Sequence, residues 1–299
     1  MTSLPIEMAQ DEIETFDAVQ RLAKDLKRAA VTLTDAEARF LVDAYYLMQQ
    51  HRIRSAHQNR QLEASGEPHE IITWIQKQAK DLENSVKGAL DVYGDNKSLG
   101  IWAKSITGIG PVISAGLLAH IDVTKPTVGH IWRFAGLDPT SKWEKKTKRP
   151  WNAALKTLCY KIGESFVKFQ NHAEDHYGKV FVARKAFERY ENADKKYADQ
   201  AANALAAKNY GKDTDAYKAY IQGILPPAHI HARSTRYTAK LFLSHYHAVG
   251  HWLELHRLPP RPWVVEFGGH AHVIEPPNMD LVDGMTKAWD AQNGTTKFD

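Results

Sequence analysis

Apolar residues recur at three- and four-residue spacing along most of this chain, which is the pattern of helices that bury one face. The pattern predicts helices over residues 11–28, 34–55, 69–93, 152–169 and 229–256. Thr34 and Glu37 have the spacing of a capping box, in which two side chains satisfy free backbone amides at a helix start. We therefore predict a mostly α fold with a helical N-terminal region, a helical core that contains a helix-hairpin-helix, and an irregular C-terminal tail.

Glycine and proline residues divide the chain into four predicted segments. These are a helical hairpin or coil over residues 1–95, a helix-hairpin-helix domain over 96–172, a helical region over 173–258 and an extended tail over 259–299. Two arrangements are open for the N-terminal helices. They pack on the rest of the chain, or they pair between copies in a homo-oligomer.

The composition narrows the class of protein. The 299 residues contain no run of about 18 apolar residues, so we expect no membrane-spanning helix and no membrane partner. The acidic start lacks the basic and apolar regions of a signal peptide. The single cysteine, Cys159, excludes disulfides within the chain and a zinc site made mainly of thiolates. We expect a cytoplasmic protein that needs no cofactor.

Residues 101–121, IWAKSITGIGPVISAGLLAHI, have the features of a helix-hairpin-helix. The first helix is predicted to end near Ile106, and the second to begin at Pro111, because proline suits the first turn of a helix. Between them, Gly108 and Gly110 permit positive φ and leave the backbone bare, while Ile109 is expected to be buried.

Such a turn presents free backbone amides at the positive end of a helix dipole, which suits a nucleic-acid phosphate. The contact reads no bases, so binding is expected to be independent of base sequence and sensitive to salt. The alternative is a corner between two helices where glycine serves only to turn the chain.

Positive charge is concentrated in the middle of the chain. Residues 140–170 contain eight lysine and arginine residues against two glutamates, a local charge of +6, although the whole chain carries +4. Lysine and arginine attract phosphates, and indole rings stack on bases or sugars. We predict that the following residues contact nucleic acid: Lys142, Trp143, Lys145, Lys146, Lys148, Arg149 and Trp151. A solvated charged loop would have the same composition.

A second basic row lies in the predicted helix over residues 229–256. Arg233, Arg236 and Lys240 follow one another at spacings of three and four, so they share one helix face. They are either a second set of phosphate contacts or a row of surface salt bridges.

Three sequence elements resemble a known family. TGIGPVISAGLLAHI, WRFAGLDP, a basic loop and NAALKTLCYKIGESFVK follow in the order of the C-terminal domain of the IS-one-ten/IS-one-sixteen insertion-sequence transposases. The resemblance covers about residues 98–172. It implies binding of DNA and of a guide RNA. It also implies strand exchange by an N-terminal RuvC-like domain with four metal-binding acids and by a serine nucleophile of the C-terminal domain.

The chain departs from this family in both catalytic parts. Residues 1–95 contain no predicted strand that ends in aspartate, which a RuvC-like core needs to hold Mg²⁺ between carboxylates, so we expect no intact nuclease. After residues 135–139 the chain has Ser141 but no Ser-Gly pair. Ser141 is a candidate nucleophile for which the sequence identifies no activating base.

Histidines near the C-terminus are candidate metal ligands. Histidines two residues apart on an extended segment lie on the same side, so His270 and His272, with His251, could hold a zinc or manganese ion. Histidine also caps helices and contacts phosphate, and we expect no metal here.

Together these patterns predict a helical protein that binds the backbone of a nucleic acid, with DNA expected and RNA as the alternative. The expected role is transposition, recombination or other handling of mobile-element DNA. Two other functions are open. One is an active recombinase or nuclease that uses Ser141 or a histidine–carboxylate metal site, and the other is an oligomeric scaffold.

Overall fold

The computed structural model describes residues 28–66, 70–262 and 273–293. Within these residues the regular secondary structure is helical and contains no strand, so the predicted mostly α fold is confirmed. The helix predicted over residues 11–28 lies outside the described residues, apart from its last residue. No described helix is both long and apolar enough to cross a membrane.

The described residues form two compact units. The first unit contains the described residues up to Ile101 and also Gly110–Ile121. The second contains Trp102–Ile109 and the described residues from Asp122 onward. The chain therefore passes from one unit to the other within the diglycine turn. The helix after the turn belongs to the first unit because it packs on the long N-terminal helices.

Two long helices, α1 (Asp35–Ala64) and α2 (Glu70–Asp95), form the body of the first unit. The short α3 (Ser98–Lys104) follows, and α4 (Pro111–His120) packs against both α1 and α2. The N-terminal helices therefore pack on another part of the same chain, α4, which is the first of the two predicted arrangements. Their shared core consists of small and apolar side chains: Ala38, Val42, Tyr45, Leu90, Tyr93, Val112, Ala115 and Ala119.

Hydrogen bonds at the start of α1 and at the end of α4 support this packing. The predicted capping box at the start of α1 is present, and the Thr34 amide donates to the Glu37 carboxylate at 2.8 Å. At the end of α4, the Arg39 guanidinium from the beginning of α1 donates to the Ala119 carbonyl at 2.6 Å. Because the last carbonyls of a helix have no partner within it, this hydrogen bond satisfies one of them and ties α4 to α1.

The second unit is arranged around one long helix. Its helices are α5 (Val128–Phe134), α6 (Ala153–Phe169), α7 (Tyr177–Ala193), α8 (Ala198–Ala207), α9 (Asp215–Ile221), α10 (Pro227–Leu255) and α11 (Met279–Asn293). The central helix is α10, which packs against α5, α6, α7 and α11. Buried aromatic rings fill the space around it: Trp102, Phe166, Tyr177, Phe242 and Tyr246.

The C-terminal tail is irregular in residues 259–262 and 273–278, as predicted. It docks on the second unit, where the Trp102 indole donates to the Pro277 carbonyl at 3.0 Å and the Asn278 amide donates to the Ser105 carbonyl at 3.1 Å. Helix α11 then corrects the prediction that the whole tail is extended. Its apolar residues do have helical spacing, but the prolines just before them indicated an extended chain.

We predict that Gly163→Ala destabilises the second unit. A Cβ at Gly163 would overlap the methyl group of Thr235, which is buried and whose hydroxyl donates to the His231 carbonyl at 2.9 Å. Overpacking of this kind costs about 1–3 kcal/mol of unfolding free energy, which exceeds the higher helix propensity of alanine. Urea unfolding measures the difference.

Thr235→Ala provides the matched background for this test, because it removes the overlapping methyl group. Gly163→Ala should then cost less than in the wild-type chain. An equal cost in both backgrounds would contradict the assignment of close α6–α10 packing as the cause.

Candidate nucleic-acid interface

The first glycine of the turn has a conformation that favours glycine. Gly108 has φ +97°, and a Cβ there would lie 3.3 Å from the Phe166 ring. The Gly108 carbonyl accepts a hydrogen bond from the Ser165 hydroxyl at 2.6 Å. Gly108 therefore shapes the turn and anchors it on α6, so a substitution there would disturb the fold as well as any ligand contact.

The second glycine differs, because nothing in its surroundings requires it. Gly110 has φ −92° and ψ 177°, which any residue adopts, and a Cβ there would meet no described atom within 4 Å. It is the N-cap of α4, and Pro111 follows at the predicted first helical position. No side chain caps this helix start and no acidic residue lies in its first turn. At Gly110, neither a nearby atom nor an acidic side chain of the first turn opposes the approach of an anion.

One amide of the turn is used internally and others are free. The Ile109 amide donates to the Ile106 carbonyl at 2.9 Å, and the Ile109 side chain is buried as predicted. Among the described residues, the amides of Gly108 and Gly110 have no hydrogen-bond acceptor. Both glycines are partly exposed. The turn thus keeps two backbone donors without partners in the described part of the protein.

The first turn of α4 adds further donors. Its first intrahelical hydrogen bond runs from the Ser114 amide to the Gly110 carbonyl at 3.0 Å. The amides of Val112 and Ile113 therefore have no partner within the helix. Amides at a helix start point along the positive end of the dipole, where phosphate and carboxylate groups bind.

The predicted basic segment is an exposed loop between α5 and α6. Two turns hold it: the Asp138 carboxylate accepts from the Thr140 amide at 2.9 Å, and the Thr147 hydroxyl donates to the Glu144 carbonyl at 2.8 Å. Five cations of the loop are exposed, and none forms an ion pair with a described carboxylate: Lys142, Lys145, Lys146, Lys148 and Arg149. We refer to residues 140–150 as the basic loop.

The two tryptophans of this region have different surroundings. Trp143 is 42% exposed, its indole N–H donates to the Thr147 carbonyl at 2.9 Å, and the Arg149 guanidinium lies 5.4 Å from the ring centroid. Trp151 packs against Gly136, where a Cβ would lie 2.8 Å from the Trp151 Cγ. Trp151 therefore supports the end of the loop, and Trp143 is the ring of the pair that is open to a ligand.

Lys156 of α6 joins the positive charges, although it was not among the predicted contacts. Its ammonium group lies 4.0 Å from the centroid of the Trp151 ring. Burial lowers the pKa of Lys156, and the nearby Arg149 and Arg236 guanidinium groups lower it further. The charges of Arg149 in the basic loop and of Arg236 in α10 thus both act on Lys156 in α6. The sequence does not single out Lys156, because it occupies an ordinary position on the surface of a helix. Only its nearness to Arg149 and Arg236 in the structure identifies it.

The predicted row on α10 separates into residues with different partners. Arg233 forms an ion pair with Glu188 at 2.8 Å and lies over the ring of Tyr197. Lys240 lies 4.2 Å from the centroid of the Trp132 ring, and burial lowers its pKa. Arg236 is exposed. Arg236 is therefore the residue of this row that we retain in the proposal below.

Ser141 is partly exposed, and its amide donates to the Asp138 carbonyl at 3.2 Å. No side chain in the described ranges hydrogen-bonds to its hydroxyl. Nucleophilic serine needs an adjacent base, so the geometry around Ser141 offers no activation of the hydroxyl by the described residues.

The structure gives His251 a capping role. His251 is buried, and its Nδ1 donates to the Arg257 carbonyl at 2.9 Å, just beyond the end of α10. His270 and His272 lie outside the described residues. Within the described ranges, no group of three or more His, Cys, Asp or Glu side chains could hold a metal ion.

Another histidine of α10 anchors the tail. The His245 Nε2 donates to the Ile274 carbonyl at 2.8 Å, so its Nδ1 accepts from the Tyr177 hydroxyl at 2.7 Å. Both His245 and Tyr177 are buried. Burial lowers the pKa of His245 to about 4, and neighbouring His176 contributes to the lowering.

Comparison of the chain with protein-family models, with curated proteins and with solved structures gives no significant match.

We predict that acid weakens the fold through His245. An unfolded histidine has a pKa of about 6.5, so between pH 6.5 and 4 the unfolded chain holds a proton that the folded site does not. The contribution to stability is complete above about pH 6.5, and about 2 kcal/mol of it is lost by pH 5. Urea unfolding at pH 7.5 and pH 5 measures this loss.

His245→Gln isolates the residue, because glutamine keeps an amide donor near Nε2 and does not titrate. The variant should be less stable than wild type at pH 7.5 but should lose less stability between pH 7.5 and pH 5. The same loss in both proteins would assign the acid sensitivity to other groups.

Proposed function

We propose that this chain binds the phosphodiester backbone of a nucleic acid, with DNA as the expected polymer and RNA as the alternative. The observation that carries the proposal is the start of α4. It combines a bare glycine N-cap, amides without described partners, open space and no acidic residue in the first turn. These are the properties of a seat for an anionic oxygen. Phosphate contacts carry no base information, so we expect this binding to be independent of sequence.

The cationic surface of the second unit supports the same function. Arg149 and Arg236 both lie near enough to Lys156 to lower its pKa, and the basic loop adds four exposed lysines. Like charges brought together repel, and a bound polyanion relieves that repulsion. A phosphate backbone supplies such charge at regular intervals along its length.

The biological role we propose is the handling of mobile-element DNA. Its support is the sequence resemblance of residues 98–172 to the C-terminal domain of the IS-one-ten/IS-one-sixteen transposases. The described residues offer neither a base for Ser141 nor a metal cluster, so the proposal is for binding and includes no strand cleavage.

A negative charge introduced at Gly110 tests whether a phosphate binds at the start of α4. Gly110→Asp and Gly110→Asn introduce side chains of the same size, and both residues cap helices well, so both variants should fold with unchanged or higher stability. The carboxylate of Gly110→Asp occupies the anion site and repels phosphate. We expect Gly110→Asp to weaken binding of a short DNA by at least 10-fold and to weaken it more than Gly110→Asn does.

Fluorescence anisotropy at low salt measures these affinities, and thermal unfolding verifies the fold of each variant. Equal affinities of the Asp and Asn variants would contradict a phosphate at Gly110, whatever their difference from wild type.

The basic loop should determine the salt dependence of binding. A lysine that neutralises one phosphate contributes about 0.9 to the slope of log Kd against log salt concentration. Lys145→Ala and Lys148→Ala should each reduce this slope by about 1 and weaken all DNA sequences equally. Lys212→Ala is the control, because Lys212 is an exposed lysine that lies outside the basic loop.

Titrations at several salt concentrations give the slopes. Identical slopes for the loop variants and for Lys212→Ala would show that the loop lysines do not contact phosphate.

A further inference from the structure

We infer that the strand held at the basic loop is single-stranded, with an unpaired base stacked on Trp143. This inference rests on the proposed function and names the form of nucleic acid that the loop binds. The ligand chemistry is an unpaired base on a phosphodiester strand, and both DNA and RNA supply it.

The position of the Trp143 ring carries the inference. A tryptophan side chain buries much apolar area when it packs fully, and a 42% exposed indole in a segment of lysines leaves a large part of that area accessible. Trp151, eight residues further on, shows the packed alternative, since it lies against Gly136. Trp143 therefore retains an accessible aromatic surface that folding does not use.

The ring is also held in place rather than free to turn. Its indole N–H donates to the Thr147 carbonyl at 2.9 Å, and Thr147 is fixed by its hydroxyl and amide, which donate to the Glu144 carbonyl at 2.8 and 3.1 Å. An aromatic platform that is already oriented loses little conformational freedom when a base stacks on it.

The charges around the ring match a strand backbone. The Arg149 guanidinium lies 5.4 Å from the ring centroid, and exposed lysines precede and follow Trp143 in the loop. A base on the indole would therefore have cations available for the phosphates on either side of it. This combination of an aromatic platform and flanking cations is how proteins bind single strands without reading sequence.

A duplex does not fit this arrangement equally well. In a duplex the faces of each base are covered by its stacked neighbours, so an indole reaches a base face only where the base is unpaired or displaced from the stack. The loop lysines would still attract duplex phosphates, but Trp143 would contribute nothing to that binding. The contribution of Trp143 therefore distinguishes the two forms.

The test compares strands with and without bases. The probes are a 12-nucleotide thymidine oligomer, its uridine RNA counterpart, an abasic oligomer with the same number of phosphates, and a duplex of the same length. Trp143→Ala and Trp143→Phe are compared with wild type in the full chain by anisotropy, and circular dichroism verifies the helical fold.

We expect Trp143→Ala to lose about 10-fold in affinity for one or both base-bearing single strands, which is the scale of one stacked base. Trp143→Phe should retain most of that affinity, because it keeps a ring. Affinities for the abasic oligomer and for the duplex should change little in either variant. A loss confined to the DNA or to the RNA strand supports the inference and identifies the polymer.

An equal loss for the abasic oligomer would overturn the inference, because it would show that the ring only shapes the loop. Unchanged affinity of Trp143→Ala for the base-bearing strands would overturn it as well. In either case the proposed function stands if wild type binds and Gly110→Asp binds more weakly than Gly110→Asn does. Failure of wild type to bind any of the four probes at low salt would remove the proposed function itself.

Discussion

The turn between α3 and α4 depends on a backbone constraint at Gly108, whereas Gly110, two residues later, is under no such constraint. Gly108 is in a left-handed conformation against the ring of Phe166, so its missing Cβ is a requirement of folding. Gly110 has an ordinary extended conformation and open space around it, so the described residues give no packing reason for glycine there. The first glycine makes the turn, and the second keeps the start of α4 accessible. A glycine at position 110 that packing does not require supports the proposed phosphate contact over a corner that merely turns the chain.

Much of the fold could be predicted from the sequence because local interactions determine it. The capping box at Thr34, the start of α4 at Pro111 and the burial of Ile109 follow from residues close together in the chain. The division into two units could not be predicted, since α4 packs on helices that precede it by many residues. Helix α11 was missed because the prolines before it indicated an extended chain, although its apolar residues have helical spacing. The contacts of Pro277 and Asn278 that dock the preceding segment are with a remote part of the chain, and spacing alone does not show them.

The sequence could predict which residues lie in the candidate site, but not which of their charged groups remain available to contact a ligand. Arg233, Arg236 and Lys240 share a helix face, yet Arg233 pairs with Glu188 and Lys240 packs on an indole ring, which leaves Arg236 exposed. Spacing identifies the face, whereas neighbours from other helices decide which charge is satisfied within the protein. Lys156 was overlooked for the converse reason, because the charges beside it come from the basic loop and from α10.

The proposed contacts would attract a nucleic acid through three different interactions, and these differ in how strongly salt weakens them. The amides at the start of α4 are fixed dipoles that act at contact distance and need no side-chain ordering. The lysines of the basic loop act over roughly a Debye length, about 8–10 Å at moderate salt, and are screened as salt rises. A base stacked on Trp143 adds attraction that depends on shared ring surface, and salt has little effect on it. In the proposed complex, the salt-dependent part of the affinity therefore comes mainly from the lysines. The proposed contact at the amides would fix the position of one phosphate, and the proposed contact at the indole would require an unpaired base.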